Sequence, residues 1–149
     1  MEVPTPFPGG PYLVAALLCE KVLEEKDGVK TLVRVIDRVF QQVLGPEPPS
    51  QMPPLTLNLA LYVRFRSGKA AGPSRVTVRL VRPSGESSEL GQLTLYFEEG
   101  DAKFVDLVAN LHLNLDQPGQ WWFEVYLRDQ RVAAVPLEVR YLPARMPAP

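Results

Sequence analysis

The strongest constraint on the fold is a strict alternation of apolar and polar residues that recurs along the chain. Between residues 55 and 65, six consecutive odd-numbered positions are large and apolar, a period of two that no helix produces. Residues 105–115 keep their odd positions apolar in the same way. Because successive side chains on a strand point to opposite faces of a sheet, each segment is predicted to be a strand with one buried face.

Near the C-terminus the same period predicts a β-hairpin over residues 117–141, with a short polar connection at residues 128–131. The apolar positions of its first strand define the buried face: Trp121, Phe123, Val125 and Leu127. The positions between them define the outward face: Trp122, Glu124, Tyr126 and Arg128. Pro136 lies inside the return strand and lacks a backbone N–H, which predicts that this strand is an edge or carries a bulge.

Further strands are predicted at residues 75–81 and 90–97, which are separated from their neighbours by turns rich in Gly and Pro. Residues 12–43 are ambiguous. Their apolar residues allow helical spacing, but the β-branched residues at 31–40 and the turn at residues 26–28 favour two strands, near 12–22 and 30–42. The predicted fold is therefore an all-β, antiparallel sandwich of about seven or eight strands, immunoglobulin-like, with an α+β fold in which residues 12–43 are helical as the alternative.

Length and proline content suggest the domain organisation. A chain of 149 residues is long enough for one domain with its own apolar core. We expect a proline-rich flexible arm over residues 1–11, a single sandwich domain over residues 12–142 and a proline-rich flexible tail over residues 143–149. Five prolines within residues 45–54 predict a stiff crossover between the two sheets.

Charge and cysteine content constrain the partners and the compartment. The formal net charge of −1 gives no general attraction to nucleic acid or to an anionic membrane. Cys19 is the single cysteine, which excludes an intrachain disulfide and suits a reducing compartment. The apolar run at residues 13–19 is too short to span a bilayer and has no basic residue before it. We therefore expect a cytoplasmic protein.

One short segment resembles a feature of immunoglobulin-like domains. Residues 115–121, Leu-Asp-Gln-Pro-Gly-Gln-Trp, are similar to the corner that these domains place before their penultimate strand, where an Asp and a Gly precede an aromatic residue. Trp121 stands where a tyrosine is more usual. An indole lacks the hydroxyl group that makes the corner's hydrogen bond in those domains.

Residues 12–142 as a whole also resemble an uncharacterised bacterial family of small immunoglobulin-like β-sandwich proteins. The resemblance rests on Leu-Leu-Cys-Glu at residues 17–20, an Asp-Gly turn at residues 27–28 and Pro-Leu-x-Leu from Pro54. The closing hairpin adds Pro-Gly-x-aromatic and Pro-Leu-x-Val segments. The resemblance implies a sandwich with two N-terminal strands and an unknown function, and it implies no chemistry.

Few residues point to catalysis or to a metal. His112 could act as a base for Cys19, but Cys19 lies in an apolar run where it is most simply a small buried side chain. One cysteine and one histidine do not supply a zinc ligand set. Acidic residues at 98–101, Asp116 and Asp129 lack the dense spacing of a calcium loop. We expect no catalytic residue, no metal and no cofactor, so the protein is not expected to be an enzyme.

Two outward surfaces stand out from this background. If residues 55–66 and 74–81 are neighbouring strands, five side chains share an outward face that could bind an anion or nucleic acid: Tyr62, Arg64, Arg66, Arg75 and Arg79. The second surface is the outward set of the hairpin, where Trp122 and Tyr126, with Glu124 and Arg128, suggest a protein contact.

These surfaces lead to two functional hypotheses. The first is a non-catalytic protein-interaction or scaffold module, which binds an unknown protein or a second copy of itself. The second is a ligand- or nucleic-acid-binding protein that uses the arginine face, although the net charge makes nucleic acid the weaker partner. Neither hypothesis involves a membrane.

Overall fold

The computed structural model describes residues 6–44 and 54–144 of the chain. Within these residues nine β-strands form two sheets, and no helix is present. The strands are β1 (Tyr12–Glu24), β2 (Lys30–Val35), β3 (Arg38–Leu44), β4 (Leu55–Gly68), β5 (Gly72–Val81), β6 (Ser87–Phe97), β7 (Gly100–Leu115), β8 (Gly119–Leu127) and β9 (Gln130–Ala144). The prediction of an all-β fold is confirmed, and the helical alternative for residues 12–43 is not needed.

The two sheets pack face to face with the strand order of an immunoglobulin-like sandwich. One sheet, which we call sheet A, has the order β2-β1-β4-β7, and the other, sheet B, has the order β3-β9-β8-β5-β6. In sheet B, β9, β8 and β5 lie side by side, as strands G, F and C do in immunoglobulin domains. In sheet A, β1, β4 and β7 lie side by side, as strands A, B and E do in those domains. The predicted fold class is therefore confirmed.

The apolar alternation puts the core where the sequence indicates. The odd-numbered residues of β4 and β8 meet between the sheets, and Phe65, Trp121 and Phe123 are among the largest fully buried side chains. Burial of apolar surface at roughly 25 cal/mol per Å² makes this shared interior the main source of stability. Val76, Val78 and Leu80 of β5 complete it from sheet B.

The segment predicted as one strand over residues 30–42 is divided between the two sheets. It forms β2 at the edge of sheet A and β3 at the edge of sheet B, where β3 runs parallel to β9. The joint consists of two consecutive residues, each hydrogen-bonded to a different sheet. Ile36 N donates to Leu18 O of sheet A at 2.8 Å, and Glu138 N of sheet B donates to Asp37 O at 3.0 Å. The strand count rises to nine because of this division.

Pro136 lies on a part of β9 that has a neighbour on one side. Strand β8 pairs with β9 throughout this region, with Trp122 opposite Pro136, whereas β3 pairs with β9 from Glu138 onward. Because no strand of the described residues pairs with the other side of β9 at Pro136, the missing N–H removes no ladder hydrogen bond there. The prediction of an edge position is therefore correct for this half of β9.

The closing hairpin turns through two residues with left-handed backbone. Arg128 and Asp129 have φ angles of 50° and 66°, and Leu127 pairs with Gln130 across them. Positive φ at both central positions is the geometry of a type I′ turn, whose twist matches that of the flanking strands. Asp tolerates this conformation better than most residues, and Arg128 is held in it by its side-chain contacts, which are described below.

Residues 6–11 lie against one end of the sandwich. Lys69 N donates to Gly9 O at 2.9 Å, and a Cβ atom added at Gly10 would lie 2.6 Å from Ser67 O. The two chain segments thus approach each other more closely than residues with side chains allow. Phe7 packs against the core as well. Mobility of the predicted arm and tail stays a prediction, and residues 1–5 and 145–149 lie outside the described residues.

The proline-rich crossover also falls largely outside the described residues. Of residues 45–54, the structure describes Pro54 alone. The strands on either side, β3 and β4, belong to different sheets. The connection therefore joins the two sheets, as the crossover prediction requires.

The corner before β8 is closed by the Trp121 ring rather than by a tyrosine hydroxyl. Trp121 Nε1 donates a hydrogen bond to Gln117 O at 3.0 Å, four residues upstream. The Arg82 guanidinium lies 5.2 Å from the centre of the Trp121 ring and pairs with Asp116 at the same corner. An indole N–H can therefore make the backbone contact that the hydroxyl makes in immunoglobulin domains.

This geometry predicts a large difference between the two adjacent tryptophans. Trp121→Phe removes the bond to Gln117 O and part of a fully buried ring, so the free energy of unfolding should fall by about 2 kcal/mol. Trp122→Phe should cost less than about 0.5 kcal/mol, since Trp122 is partly exposed. Urea unfolding followed by circular dichroism measures both. Equal losses in the two variants would contradict the assigned role of Trp121.

Candidate functional site

The predicted arginine face does not exist as one surface. The prediction treats residues 55–66 and 74–81 as neighbours, and this premise is wrong. Strand β4 pairs with β1 and β7 in sheet A, whereas β5 pairs with β6 and β8 in sheet B. Alternation along a strand determines which residues share its face, but it carries no information on the neighbouring strand. Tyr62, Arg64 and Arg66 therefore lie on the outer face of sheet A, and Arg75 and Arg79 on that of sheet B.

On sheet A, a single carboxylate engages the Tyr62 and Arg64 side chains. Asp106 of β7 accepts hydrogen bonds from Tyr62 Oη at 3.1 Å and from Arg64 Nε at 2.9 Å. Lys30 Nζ lies 3.8 Å from the same carboxylate. Burial first, and then the Asp106 charge, raise the pKa of Tyr62. The cluster is a compact ion-pair network in which the positive charges already have an anionic partner.

Arg66 also has an anionic partner within the domain. Its Nη1 lies 3.1 Å from Asp101 Oδ1, and its guanidinium lies 4.3 Å from the centre of the Tyr12 ring. The Arg64 guanidinium likewise lies 4.8 Å from the centre of the Phe104 ring. Each cation thus has both a carboxylate and an aromatic contact within the domain, an arrangement that holds arginine side chains along the sheet.

Part of the outer face of sheet A is covered. Cys19 pairs with Ala60 on this face, both are fully buried, and Tyr62 beside them is 6% exposed. Lys30, at the start of β2, reaches across to Asp106. This part of the outer face around Cys19, Ala60 and Tyr62 is therefore shielded from solvent.

On sheet B, the outward residues of β8 form the centre of a continuous surface. Trp122, Glu124 and Tyr126 lie in one row, and their partners on β5 are Val81, Arg79 and Thr77. Their partners on β9 are Pro136, Ala134 and Arg131. We call this surface the Trp122 face. It unites three residues of the predicted protein contact with Arg79 of the predicted anion face.

A shallow depression of about 260 Å³ lies at the centre of the Trp122 face. It is lined by Val81, Trp122, Glu124, Arg131 and Ala134. Trp122 is 39% exposed, the large exposed ring among these lining residues. The apolar part of the depression is lined by Trp122, Val81 and Ala134, and the polar part is lined by the ion pair between Glu124 and Arg131. The depression can accept an apolar side chain and surround it with polar groups.

The ion pair of the depression is internally satisfied. Arg131 Nη1 donates to Glu124 Oε2 at 3.0 Å, and Tyr126 Oη donates to Glu124 Oε1 at 3.3 Å. The Glu124 side chain is 14% exposed, so this network is partly desolvated before any partner binds. Such a network gives the wall a fixed shape. Arg131 could not be assigned to this site from the alternation, because a bulge between Val125 and Tyr126 shifts the register and sets Arg131 opposite Tyr126.

Arg128 lies apart from the other three residues of the predicted contact. Its Nε donates to Ser74 Oγ at 2.8 Å, and its guanidinium lies 5.5 Å from the centre of the Phe7 ring. The reason is its place in the hairpin turn, where the alternation of the strand ends. Arg79 also has a partner, since its Nε donates to Ser87 Oγ at 3.1 Å.

Two exposed apolar residues that the pattern did not single out lie on the same side of sheet B, toward β3. Phe40 and Leu142 are both exposed, and they lie on the outer side of β3 and β9 beside the buried Val139 and Tyr141. Phe40 could not be placed from the sequence because it belongs to the ambiguous residues 12–43, and Leu142 lies one residue beyond the predicted hairpin. They add exposed apolar area to the outer side of sheet B, and Glu138 and Arg140 lie between Leu142 and Pro136 along β9.

Cys19 and His112, the two residues considered for catalysis, contact different groups and not each other. Burial raises the pKa of the Cys19 thiol, which favours the unreactive neutral form, and its Sγ donates to Lys21 O at 3.5 Å. His112 Nδ1 lies 2.7 Å from Asn58 Oδ1. In the described residues, no group of three or more His, Cys, Asp or Glu side chains is placed to hold a metal ion. The same residues include no helix long and apolar enough to cross a membrane.

Comparison with known families gives a match over most of the chain. Residues 14–140 match the model of a family of unknown function, DUF6941. The chain belongs to this family. This agrees with the expected resemblance to an uncharacterised family of immunoglobulin-like sandwiches. No curated protein matches the sequence of this family member.

Solved structures resemble the family member in fold alone. An immunoglobulin-like protein from Pseudomonas aeruginosa is 15% identical, with a TM-score of 0.33 over 85% of this chain and 98% of its own. A β-glucosidase from Listeria innocua in complex with glucose is 11% identical, with a TM-score of 0.47 over 89% of this chain. The present chain spans 17% of that glucosidase. Scores and identities this low carry no argument about activity.

The environment of Tyr62 predicts a loss of stability at alkaline pH. A tyrosine in the unfolded chain ionises near pH 10, whereas folding raises the pKa of Tyr62, so the free energy of unfolding should fall as pH rises through and above that value. Tyr62→Phe should cost about 1 kcal/mol at neutral pH by removing the bond to Asp106, and it should make the alkaline decline shallower. Urea unfolding at pH values from neutral to strongly alkaline measures both effects. Identical slopes for the two proteins would contradict the assignment.

Proposed function

We propose that this protein is a non-catalytic interaction module that binds a protein partner through the Trp122 face. The observation that carries the proposal is the position of Trp122, a large, partly exposed ring that lines a depression on the outer surface of sheet B. Tryptophan is the residue type most enriched among those that dominate the affinity of protein interfaces. The partner would insert an apolar side chain against the ring.

The polar residues around Trp122 support a protein partner over a small charged ligand. Glu124, Arg131 and Tyr126 already bond to one another, so the depression offers no free charge to an ionic ligand. A preformed polar rim around an aromatic centre excludes water from the contact and adds little affinity of its own. Phe40 and Leu142 enlarge the apolar area on the same side of the sheet.

The arginine-face hypothesis has lost its main support. Its five residues are divided between two sheets, and Arg64 and Arg66 are paired with Asp106 and Asp101. Binding of a nucleic-acid backbone needs several cations that can exchange their counterions for phosphates. Protein binding therefore has the stronger support of the two hypotheses.

The proposed setting is the cytoplasm of a bacterium. The supporting observation is the single, buried cysteine, which suits a reducing environment. The absence of catalysis is part of the same proposal, since Cys19 is buried and its hydrogen bond goes to a backbone carbonyl.

Trp122→Ala should abolish capture of the partner while leaving the fold intact. Truncation of a central tryptophan typically costs at least about 2 kcal/mol of binding, or roughly a thirtyfold loss of affinity. The experiment is a pull-down from extracts of the native host with wild-type and variant baits, followed by mass spectrometry and by titration of the captured protein.

Tyr96→Ala is the matched control, because Tyr96 is a 72% exposed aromatic residue on β6, away from β8 and β9. It should capture the partner as the wild type does. A partner retained by Trp122→Ala and lost with Tyr96→Ala would refute the Trp122 face. A partner lost with neither variant would refute it as well.

A further inference from the structure

The edges of the two sheets differ in how they are protected against pairing with another strand. Exposed edge strands are normally blunted by shortness, irregular backbone, proline or charge. In the described part of the chain the edge strands are β2 and β7 in sheet A and β3 and β6 in sheet B. Three of them carry such a device.

Each of the three protected edge strands has a different feature that hinders pairing with another strand. Strand β2 has six residues, and Arg34 within it has a left-handed φ of 53°. Strand β3 has seven residues and is followed in sequence by five prolines within residues 45–54. Strand β6 is interrupted by a bulge, because Val78 pairs with Gly91 and Arg79 with Glu89, which leaves Leu90 unpaired.

Strand β7 has no comparable protection. It is 16 residues long, and its pairing with β4 runs without a shift from Phe104 to Leu115. Residues 104–115 contain neither proline nor glycine, and Asp106 is their single carboxylate, with no Lys or Arg. Every second residue of this strand directs its backbone N–H and C=O away from β4. The result is a long, regular row of donors and acceptors at the edge of sheet A.

We propose that two copies of this protein associate through their β7 strands, paired antiparallel about a two-fold axis at Ala109. The pairing joins the two A sheets into one continuous sheet. A two-fold axis makes the contact self-complementary, so the same strand serves both copies and the assembly closes as a dimer.

The sequence of β7 fits this register. Centring on Ala109 pairs odd positions with odd ones, so the apolar side chains of both copies stay on the core side of the joined sheet. It sets Val105 opposite Leu113 and Leu107 opposite Leu111, with the small Ala109 at the axis. Val105, Ala109 and Leu111 are only partly buried in the single chain, so pairing would remove further apolar surface from water.

The outward positions are complementary in hydrogen bonding in the same register. Asp106 of each copy lies opposite His112 of the other, where an imidazole N–H can donate a hydrogen bond to the carboxylate across the joined strands. His112 now contacts Asn58, and Asp106 contacts Tyr62 and Arg64, so both side chains already point to the outer face where they would meet. A shift of the axis by one residue, to Asn110, would set His112 opposite Val108 instead.

Analytical ultracentrifugation of the full chain tests whether the dimer forms. The wild type should show a concentration-dependent monomer–dimer equilibrium. Val108→Lys adds a charge at an exposed outward position beside the axis and should weaken the dimer by about tenfold or more, because the two introduced ammonium groups lie diagonally across the axis, each opposite Asn110, and repel each other. Val29→Lys, at an exposed position in the β1–β2 turn, is the charge-matched control and should leave the dimer unchanged.

Cysteine cross-linking tests the register. Ala109→Cys sets two thiols directly opposite each other, with Cβ atoms about 4.5–5.5 Å apart, close to disulfide geometry. Mild oxidation should therefore give a covalent dimer. Asn114→Cys is the control, since two cysteines at 114 would be separated by ten residues, about 33 Å along the joined strands. Cys19 is fully buried and is present in both variants.

The outcomes separate this dimer from other contacts. A wild type that stays monomeric at its solubility limit refutes the proposal. So does a dimer that Val108→Lys leaves intact, or one that cross-links through position 114 and not through 109. A dimer that Trp122→Ala abolishes would use the Trp122 face instead, whereas β7 pairing should survive that substitution.

Discussion

The burial of Trp121 is the interaction on which the rest of this structure depends. The ring has no exposed surface, and its N–H ties β8 to the corner at Gln117, so one side chain anchors both the core and the connection between the sheets. Arg82 covers the ring and pairs with Asp116, which closes the corner from the outside. Because Trp121 must face inward, the period of two turns Trp122 outward. The exposure of Trp122 thus follows from the burial of the residue before it.

The fold was largely predictable because its main signal is local. Alternation at residues 55–65, and in the closing hairpin, assigns each side chain to a face without any knowledge of the neighbouring strands. The neighbours themselves depend on contacts between residues far apart in sequence. For this reason the prediction of a single arginine face was wrong. Arg64 and Arg79 each point outward as predicted, but they lie on opposite sides of the sandwich. The division of residues 30–42 between two sheets has the same origin, since β-branched residues favour a strand and do not specify which sheet receives it.

The candidate site could be predicted in part. Trp122 and Tyr126 lie on the outer face as their parity requires, and Glu124 lies between them. Arg131 could not be found, because a bulge changes its register, and Phe40 belongs to a segment whose structure the pattern left open. Arg128 has the parity of the outward set, but the type I′ turn directs it to Ser74 and Phe7. Parity therefore holds within regular strands and fails where they end or bulge.

The joint at Ile36 and Asp37 affects where the sandwich opens locally. Consecutive residues bond to opposite sheets there, so one flank of the domain is clamped part-way along its strands. The β6–β7 flank is joined by a short turn at one end. Local opening with a free energy below that of global unfolding should therefore start at the β6–β7 flank, with the clamped flank acting as the hinge. Amide protons of β6 would then exchange with solvent earlier than those of β9.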